Sequence, residues 1–302
     1  MSVLFVFLDG VGLGTPTPDN PLATLALPAF EQLAGGQRWT ADATPIGTPS
    51  HVFAPIDATL GLEGLPQSGT GQAALFSGEN AAQIHGRHFG PYPPTTVRDT
   101  LAERSVFARL ARCGMPTDRL AFANAYPDRF FEYAERRGRW TATTLAARSA
   151  GVRLRRAEDL RRDLALTADL TRSTWVRLFD PSVDVISEAE AGRQLAALLE
   201  AHDFVLFEYF LTDKAGHSRD PTRAAGVVQS LDAFASGLLG ALGPQHTLVV
   251  TSDHGNIEDL STKSHTRNPV PLIAWGPGAS RFVSATSLLD VTPSIVQVLT
   301  SP

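Results

Sequence analysis

The clearest pattern in the chain is a set of short, unbroken apolar runs that end at polar or charged residues. The first covers residues 2–8 and stops at Asp9, and the same form recurs over 203–210 and 246–251. Runs of this length without alternation are typical of strands that are buried on both faces, and such strands form parallel sheets. The sequence therefore predicts a central parallel sheet.

Helical spacing separates these runs. Apolar residues recur every three or four positions over 188–201 and 222–242, which predicts a helix before each of the two later strands. Strand and helix alternate, so we expect an α/β fold. Other predicted elements are a strand over Pro269–Trp275, a closing helix over Leu288–Leu299, and helices at Pro28–Ala34, Gly71–Phe76 and Thr100–Arg112.

The segment over 124–178 departs from this rhythm. It has few long apolar runs, and its helix-like stretches, 141–150 and 157–163, are short. Between Arg129 and Arg177 the chain carries twelve arginines against six acidic residues. We interpret 124–178 as a small arginine-rich lid or insertion within a single catalytic domain that spans 1–302.

Composition narrows the class of protein. With 43% hydrophobic residues in 302 positions, the chain can bury a sizeable core. A net charge of -5 argues against a nucleic-acid partner, which would require clustered cationic residues. The first apolar run is too short for a signal peptide or a membrane span, so we expect a cytoplasmic protein with no membrane partner. The sequence predicts no particular oligomeric state.

A single cysteine, Cys113, excludes an internal disulfide and any cysteine-based metal cluster. It lies at the end of a predicted helix, and we expect it to be a buried structural thiol.

Candidate chemistry gathers where the predicted strands end. Loops converge at the carboxyl ends of parallel strands, and function is usually found there. Carboxylate and imidazole groups at these positions suit Zn²⁺ or Mn²⁺, and six such groups would serve two ions. The six residues are Asp9, Asp213, His217, Asp253, His254 and His265.

A nucleophile is available in the small, polar turn over 65–78. Ser68 and Thr70 precede an apolar helical start, and a helix N-terminus favours an anion. A serine hydroxyl needs a neighbouring base or metal before it can attack. On turn chemistry alone, an N-cap is the favoured interpretation of each residue, and the nucleophile is the alternative.

Together these motifs resemble the alkaline phosphatase superfamily, and most closely its branch with cofactor-independent phosphoglycerate mutase and phosphopentomutase. The resemblance covers 1 to about 90 and 200–300. It implies a three-layer sandwich with a mostly parallel central sheet. It also implies one metal on Asp9, Asp253, His254 and the nucleophile oxygen, and a second on Asp213, His217 and His265. Gly71-Gln72 stands where the family has Gly-His, which makes Ser68 the nucleophile and Thr70 the second choice.

The function that the resemblance implies is two-metal phosphoryl transfer on a small phosphorylated metabolite. We expect a phosphomonoesterase that works through a phosphoserine, with two Mn²⁺ or Zn²⁺ ions as cofactors. A phosphomutase and a phosphodiesterase are the enzymatic alternatives. The alternative outside enzymes is a catalytically silent metal-binding module.

Further residues are candidates for contact with the substrate. His85, Arg87, His88 and Tyr92 follow the nucleophile helix and could reach a phosphate, and Lys263 stands two positions before a predicted ligand. We expect Asn124 and Arg129 to belong to a turn. No chemistry is expected of His51, His202 or His246.

Overall fold

A computed structural model describes residues 1–301. Within them, seven strands form one mixed sheet. The strands are β1 (Ser2–Leu8), β2 (Ile46–Gly47), β3 (His51–Ile56), β4 (Leu120–Phe122), β5 (Phe204–Tyr209), β6 (His246–Ser252) and β7 (Val270–Trp275).

The sheet has the strand order β2-β3-β7-β6-β1-β5-β4. Strands β6, β1, β5 and β4 run parallel, and β7 joins β6 in the antiparallel sense. In the register, Leu8 lies opposite Tyr209 on one side and Ser252 on the other. The carboxyl ends of the three central strands are therefore level, and the loops that follow them start side by side.

Helices cover both faces of this sheet and complete a three-layer α/β sandwich. The helices are α1 (Pro21–Thr24), α2 (Pro28–Leu33), α3 (Ser68–Ser77), α4 (Ala81–His85), α5 (Thr95–Arg104), α6 (Val106–Arg112), α7 (Asp128–Arg137), α8 (Ala142–Ser149), α9 (Ala157–Arg161), α10 (Ser173–Leu178), α11 (Glu188–Ala197), α12 (Leu211–Ser218), α13 (Pro221–Ala241) and α14 (Val291–Thr300). Short 3₁₀ turns occupy Thr117–Arg119, Leu198–Glu200, Ala279–Phe282 and Leu288–Asp290.

The core explains the uniform apolarity of β1. Val3, Phe5 and Phe7 pack in the cluster under α3, α6 and α14, whereas Leu4 and Val6 pack in the cluster under α2, α11 and α13. Successive side chains of a strand point to opposite faces, so a strand between two helical layers needs apolar residues at every position.

The predicted strands agree with the observed ones to within one or two residues, but two helices differ. The single helix expected over Thr100–Arg112 is two helices, because Ser105 ends α5 and caps α6 by accepting a hydrogen bond from the Ala108 amide. Helix α3 starts at Ser68, three residues before the predicted Gly71.

Cys113 does not behave as expected. It ends α6, as its position indicated, but its side chain is exposed. The helix terminates at the protein surface, so the prediction of a buried thiol is wrong.

The arginine-rich segment contains α7 to α10 and has a small apolar cluster of its own. Ala125, Leu160, Ala165, Trp175 and Val183 form this cluster, separate from the two large ones. Its role as a lid stays a prediction.

Helix α13 is long and apolar enough to cross a membrane by length and composition alone. In this fold it packs against α11, α12 and α2, and its buried residues include Leu231 and Phe234. This packing accounts for its apolar face as part of a protein core.

Candidate metal centre

The six predicted ligands meet at the carboxyl edge of the three central strands. Asp9 directly follows β1, and Asp253 with His254 directly follows β6. Asp213 and His217 lie one turn apart on α12, close behind β5. Since the strand ends are level, residues more than 200 positions apart in sequence become neighbours.

The three imidazole rings are oriented in the same way. Nδ1 of His217 lies 2.8 Å from the carbonyl oxygen of Lys263, and Nδ1 of His265 lies 2.7 Å from that of Pro66. A carbonyl only accepts, so each Nδ1 carries the proton and each Nε2 carries a lone pair. Nδ1 of His254 lies 3.4 Å from the carbonyl oxygen of Gly255, a longer contact with the same sense. Second partners of this kind orient histidines that bind metals.

The Nε2 atoms converge on carboxylate oxygens. Nε2 of His217 and Nε2 of His265 are 3.1 Å apart, and Asp213 oxygens lie 3.4 and 3.5 Å from them. Nε2 of His254 lies 3.4 Å from Asp9 Oδ1 and 3.5 Å from Asp253 Oδ2. Lone pairs that face one another at these distances repel, and a cation between them would remove the repulsion.

The buried carboxylates of this site likewise have no positively charged group to balance them. Asp9 Oδ1 and Asp253 Oδ2 are buried and have no hydrogen-bond partner within residues 1–301. Burial, with repulsion from Asp213, raises the pKa of Asp253 to about 7, and burial lowers the pKa of His254 to about 3. Burial together with the neighbouring Asp253 also raises the pKa of Asp9 well above its usual value. Orphaned oxygens and neutral imidazoles are the donors that a divalent cation would satisfy, so these residues fit a metal centre.

The distances between ligand atoms define two groups of three possible metal donors, and the groups share one residue. Asp213, His217 and His265 offer atoms within 4.8 Å of one another, and so do Asp9, Asp213 and His254. Asp213 therefore lies between the two groups, whereas the resemblance assigned it to one ion only. Asp213 also accepts a hydrogen bond of 2.6 Å from the side-chain amide of Asn256. Burial of Asp213 is outweighed by its contacts with His265, His254 and Asn256, and its pKa falls to about 2.

Ser68 is the first residue of α3 and faces this centre. Its Oγ lies 3.0 Å from His254 Nε2. Two glycines allow the close approach: a Cβ at Gly69 would lie 2.3 Å from the carbonyl oxygen of Tyr92, and one at Gly71 would lie 3.0 Å from that of Asp253. The Ser-Gly-Thr-Gly sequence is thus a packing requirement for bringing a hydroxyl to the metal ligands.

Thr70 has a different environment. It is completely buried, and its Oγ1 accepts a hydrogen bond of 3.1 Å from the Phe89 amide. The Thr70 amide in turn donates to the Phe89 carbonyl at 2.9 Å. The residue joins α3 to the following loop, and this supports Ser68 over Thr70 as the nucleophile.

Sequence reasoning gave no supporting role to two residues, Glu258 and Gln72. The buried carboxylate of Glu258 accepts hydrogen bonds from the amides of Gly12 at 2.9 Å and Asn256 at 2.7 Å, and also from Thr266 Oγ1 and Asn268 Nδ2. Gln72 Nε2 donates to Asp9 Oδ2 at 3.2 Å. The signal for Glu258 was its place five residues after Asp253, but a lone glutamate in a loop has no distinctive spacing.

A cavity of about 810 Å³ opens above the centre, with Asp9, Ser68 and Asp213 in its wall. Of the predicted substrate contacts, Tyr92 lines it. Arg129, which was expected to belong to a turn, lies on α7 and also lines the cavity, so that expectation is wrong. The other four candidates, His85, Arg87, His88 and Lys263, lie outside the wall that the described chain forms. His85 instead contacts Thr96, and Lys263 contributes its carbonyl to His217.

Glu208 is a buried acid in the same wall that the sequence did not single out. Its Oε2 accepts hydrogen bonds from Thr143 Oγ1 at 2.7 Å and Tyr126 OH at 3.3 Å, and Asn124 bonds to its backbone on both sides. Burial raises the pKa of Glu208 to about 7. The turn expected at Asn124 is therefore an anchor between β4 and β5, which positions an ionisable group beside the cavity.

Comparison with known proteins relates the C-terminal part of the chain to a family. The model of the Metalloenzyme superfamily matches residues 162–302, which contain five of the six ligand candidates. Among curated relatives of the chain, 2,3-bisphosphoglycerate-independent phosphoglycerate mutase of Desulforudis audaxviator is 32% identical over 133 residues, which are 40% of the chain and 26% of the relative. Phosphopentomutase of Methylobacterium radiotolerans is 40% identical over 65 residues, 22% of the chain and 16% of the relative.

The chain thus matches about a quarter or less of the length of these curated relatives. Solved structures match its fold over nearly all of the chain. Alkaline phosphatase from the Antarctic bacterium TAB5 has a TM-score of 0.56 at 13% identity, with 99% of this chain and 97% of that one covered. Phosphoglycerate mutase of Leishmania mexicana has a TM-score of 0.52 at 12% identity, with 99% and 95% covered. These likenesses confirm the predicted alkaline phosphatase-like sandwich.

Proposed function

We propose that this protein is a metalloenzyme that transfers phosphoryl groups through a covalent intermediate on Ser68. The observation that carries the proposal is the position of the Ser68 hydroxyl, 3.0 Å from a ring nitrogen of His254, at the edge of a donor cluster that lacks positive charge. The relatives named as phosphomutases support the same chemistry.

Two divalent ions, Mn²⁺ or Zn²⁺, would be held by Asp9, Ser68, Asp253 and His254 on one side and by Asp213, His217 and His265 on the other. When bound, such ions supply positive charge that lowers the pKa of a coordinated hydroxyl and stabilises the phosphoryl oxygens. Asp213 faces both donor groups and so fixes their separation.

The chain's own residues orient the attack. Gly69 and Gly71 bring Ser68 to the centre, and the N-terminus of α3 favours the developing anion at its Oγ. The Ser68 Oγ to phosphorus bond forms as the bond from phosphorus to the ester oxygen breaks, and the ester oxygen leaves with its organic group. The phosphoserine then passes its phosphoryl group to water or to another substrate oxygen.

The group that accepts the phosphoryl group from phosphoserine decides the reaction. Water as the acceptor gives a phosphomonoesterase, and a second substrate oxygen gives a phosphomutase. The mutase outcome is favoured by the names of the curated relatives. The phosphomonoesterase outcome is favoured by the exposed side chains of Arg129 and Tyr133 in the cavity wall, which leave water a route to Ser68.

The test is to trap the intermediate. Protein loaded with Mn²⁺ is mixed with phosphomonoesters, phosphodiesters or sugar phosphates, quenched in acid and mapped by mass spectrometry, while free phosphate and isomerised product are quantified. We expect phosphate on Ser68 and a loss of turnover by several orders of magnitude in Ser68→Ala. Thr70→Ala, the matched control on the same turn, should cost on the order of ten-fold.

Each result has a distinct meaning. Isomer without free phosphate identifies a mutase, and free phosphate without isomer identifies a phosphatase. Turnover of diesters alone identifies a phosphodiesterase. Phosphate on Thr70, or full activity in Ser68→Ala, contradicts the assigned nucleophile, and no turnover of any ester favours a silent metal-binding module.

A further inference from the structure

The cavity above the metal centre is much larger than a phosphoryl group requires. Its volume of about 810 Å³ lies near the upper end of the range for pockets that enclose drug-sized ligands, roughly 300 to 1,000 Å³. A phosphate ester with a three-carbon skeleton would leave most of this space to water. The residues of the cavity wall therefore indicate which organic group the substrate carries.

One face of helix α7 forms a side of this cavity. Arg129, Tyr133 and Arg136 line it at positions i, i+4 and i+7, so they make one stripe along the helix. Phe131 and Ala134 on the other side of α7 are buried. The helix is thus anchored by its apolar face and presents two guanidinium groups with an aromatic ring between them, and the Glu132 carboxylate lines the same wall.

Aromatic rings continue this wall towards Ser68. Tyr126 and Phe130 stack with centroids 4.2 Å apart, and Tyr92 lines the same cavity. The Tyr126 hydroxyl is held by Glu208, and the Arg129 guanidinium lies 4.1 Å from the centroid of Phe179. These contacts fix the planes of the rings and of one guanidinium before any ligand binds.

Aromatic faces and guanidinium planes share one preferred ligand. Both stack on flat, delocalised rings. A guanidinium also pairs with carboxylates and phosphates, so the preference for a ring rests on the aromatic faces, which offer a small hydroxy acid no polar contact. Stacking of this kind is sequence-tolerant in nucleic-acid proteins because every base has a flat π face.

We infer that the substrate is a phosphomonoester whose organic group carries a planar ring, bound between the Arg129–Tyr133–Arg136 stripe of α7 and the aromatic wall formed by Tyr92, Tyr126 and Phe130. The inference rests on the proposed phosphoryl transfer and names its substrate class. A nucleoside monophosphate and an aryl phosphate share this chemistry, and they differ in whether a sugar links the ring to the phosphate.

The test compares ligands that differ only by the ring. Binding of adenosine 5′-monophosphate, ribose 5-phosphate and phenyl phosphate to Mn²⁺-loaded Ser68→Ala protein is measured by calorimetry, so that no turnover intervenes. We expect the adenosine ester to bind at least about ten-fold more tightly than the ribose ester, since stacking on one aromatic side chain has an effect of this size. The same measurements are made with Tyr133→Ala, Arg136→Ala and Arg137→Ala added.

Arg137 is the matched control because it is exposed on α7 next to Arg136 and is absent from the cavity wall as residues 1–301 form it. Tyr133→Ala and Arg136→Ala should each weaken the adenosine ester several-fold and leave the ribose ester unchanged, and Arg137→Ala should alter neither. Tight binding of phenyl phosphate as well identifies the ring alone as the recognised group, whereas weak binding identifies the nucleoside.

Equal binding of the adenosine and ribose esters overturns the inference, as does equal loss in Arg136→Ala and Arg137→Ala, or no binding by any of the three. Consumption of the same esters by the protein with Ser68 intact, followed by chromatography, tests the proposed function separately. Turnover of ribose 5-phosphate without a preference for rings would retain phosphoryl transfer and reject the ring site.

Discussion

Removal of the Glu258 carboxylate should disturb both stability and metal binding, although Glu258 is not a predicted ligand. The side chain is 1% exposed and accepts four hydrogen bonds, two from backbone amides and two from side chains. Glu258→Ala removes all four acceptor contacts. At about 1 kcal/mol for each bond, the free energy of unfolding should fall by about 4 kcal/mol, a large part of the usual 5 to 15 kcal/mol.

The consequence for the metal follows from what the bonds hold in place. Gly12 belongs to the loop after β1, Asn256 follows His254, and Asn256 also orients Asp213. Without Glu258 these loops lose their common anchor, so affinity for Mn²⁺ should fall about 10- to 100-fold, as for other outer-shell residues.

Urea unfolding of the metal-free protein and calorimetric titration with Mn²⁺ measure the two effects. Glu258→Gln is the conservative variant, because its amide oxygen can still accept from the two backbone amides, and it should lose less than half as much stability as Glu258→Ala. Asp259→Asn is the control, since the Asp259 carboxylate bonds only within its own turn, to Ser261, in the described chain. If Glu258→Ala retained wild-type stability and wild-type Mn²⁺ affinity, the role assigned to this carboxylate would be refuted.

Three further outcomes are expected. Titration with Mn²⁺ should reveal two sites per chain, and Asp213→Ala should weaken both, whereas His217→Ala should weaken one, because Asp213 belongs to both donor groups; retention of both sites in Asp213→Ala would contradict the assignment. The pKa of Glu208 is raised from 4.5 to about 7 in the folded state. As pH rises, the carboxyl therefore loses its proton first in the unfolded chain, and the contribution of Glu208 to the free energy of unfolding falls between pH 4.5 and pH 7. In metal-free protein, Glu208→Gln should therefore be more stable than wild type at pH 8 by about 3 kcal/mol and equal to it near pH 4.5, as urea unfolding at the two pH values would show. Cys113 should react with a thiol reagent in the native protein as fast as in urea, since it is exposed; slow labelling that requires unfolding would contradict this.

The sequence predicted β1, β5, β6 and β7 because their signal is local, whereas β2, β3 and β4, towards the two edges of the sheet, were not predicted. Strands buried on both faces have no alternation, and β1, β5 and β6 each show this directly. The break between α5 and α6 was missed, because a serine within a helical pattern is a cap only if the chain turns there, and the turn depends on packing against α8.

The ligand candidates could also be located in sequence, because a polar residue directly after a buried strand has a defined position at the sheet edge. The supporting residues could not. Glu258, Glu208 and Tyr126 act through contacts with residues distant in sequence, and their identity depends on which loops meet. The same reason explains why His85, Arg87 and His88 lie away from the cavity although they follow the nucleophile helix.

The order in which the strands occur in the chain has a consequence for synthesis on the ribosome. Strand β1 emerges first, but its two neighbours in the sheet, β5 and β6, come near the other end of the described chain. Gly10 and Asp253 are 243 positions apart, which at bacterial and eukaryotic elongation rates is on the order of 10 to 50 s. Strand β5, which begins at Phe204, emerges before this interval ends. Until then β1 has neither of its partners, and its apolar edges must be shielded by early helices or by chaperones. The nascent protein can acquire metal only after this wait, so it is exposed to aggregation before it can become active.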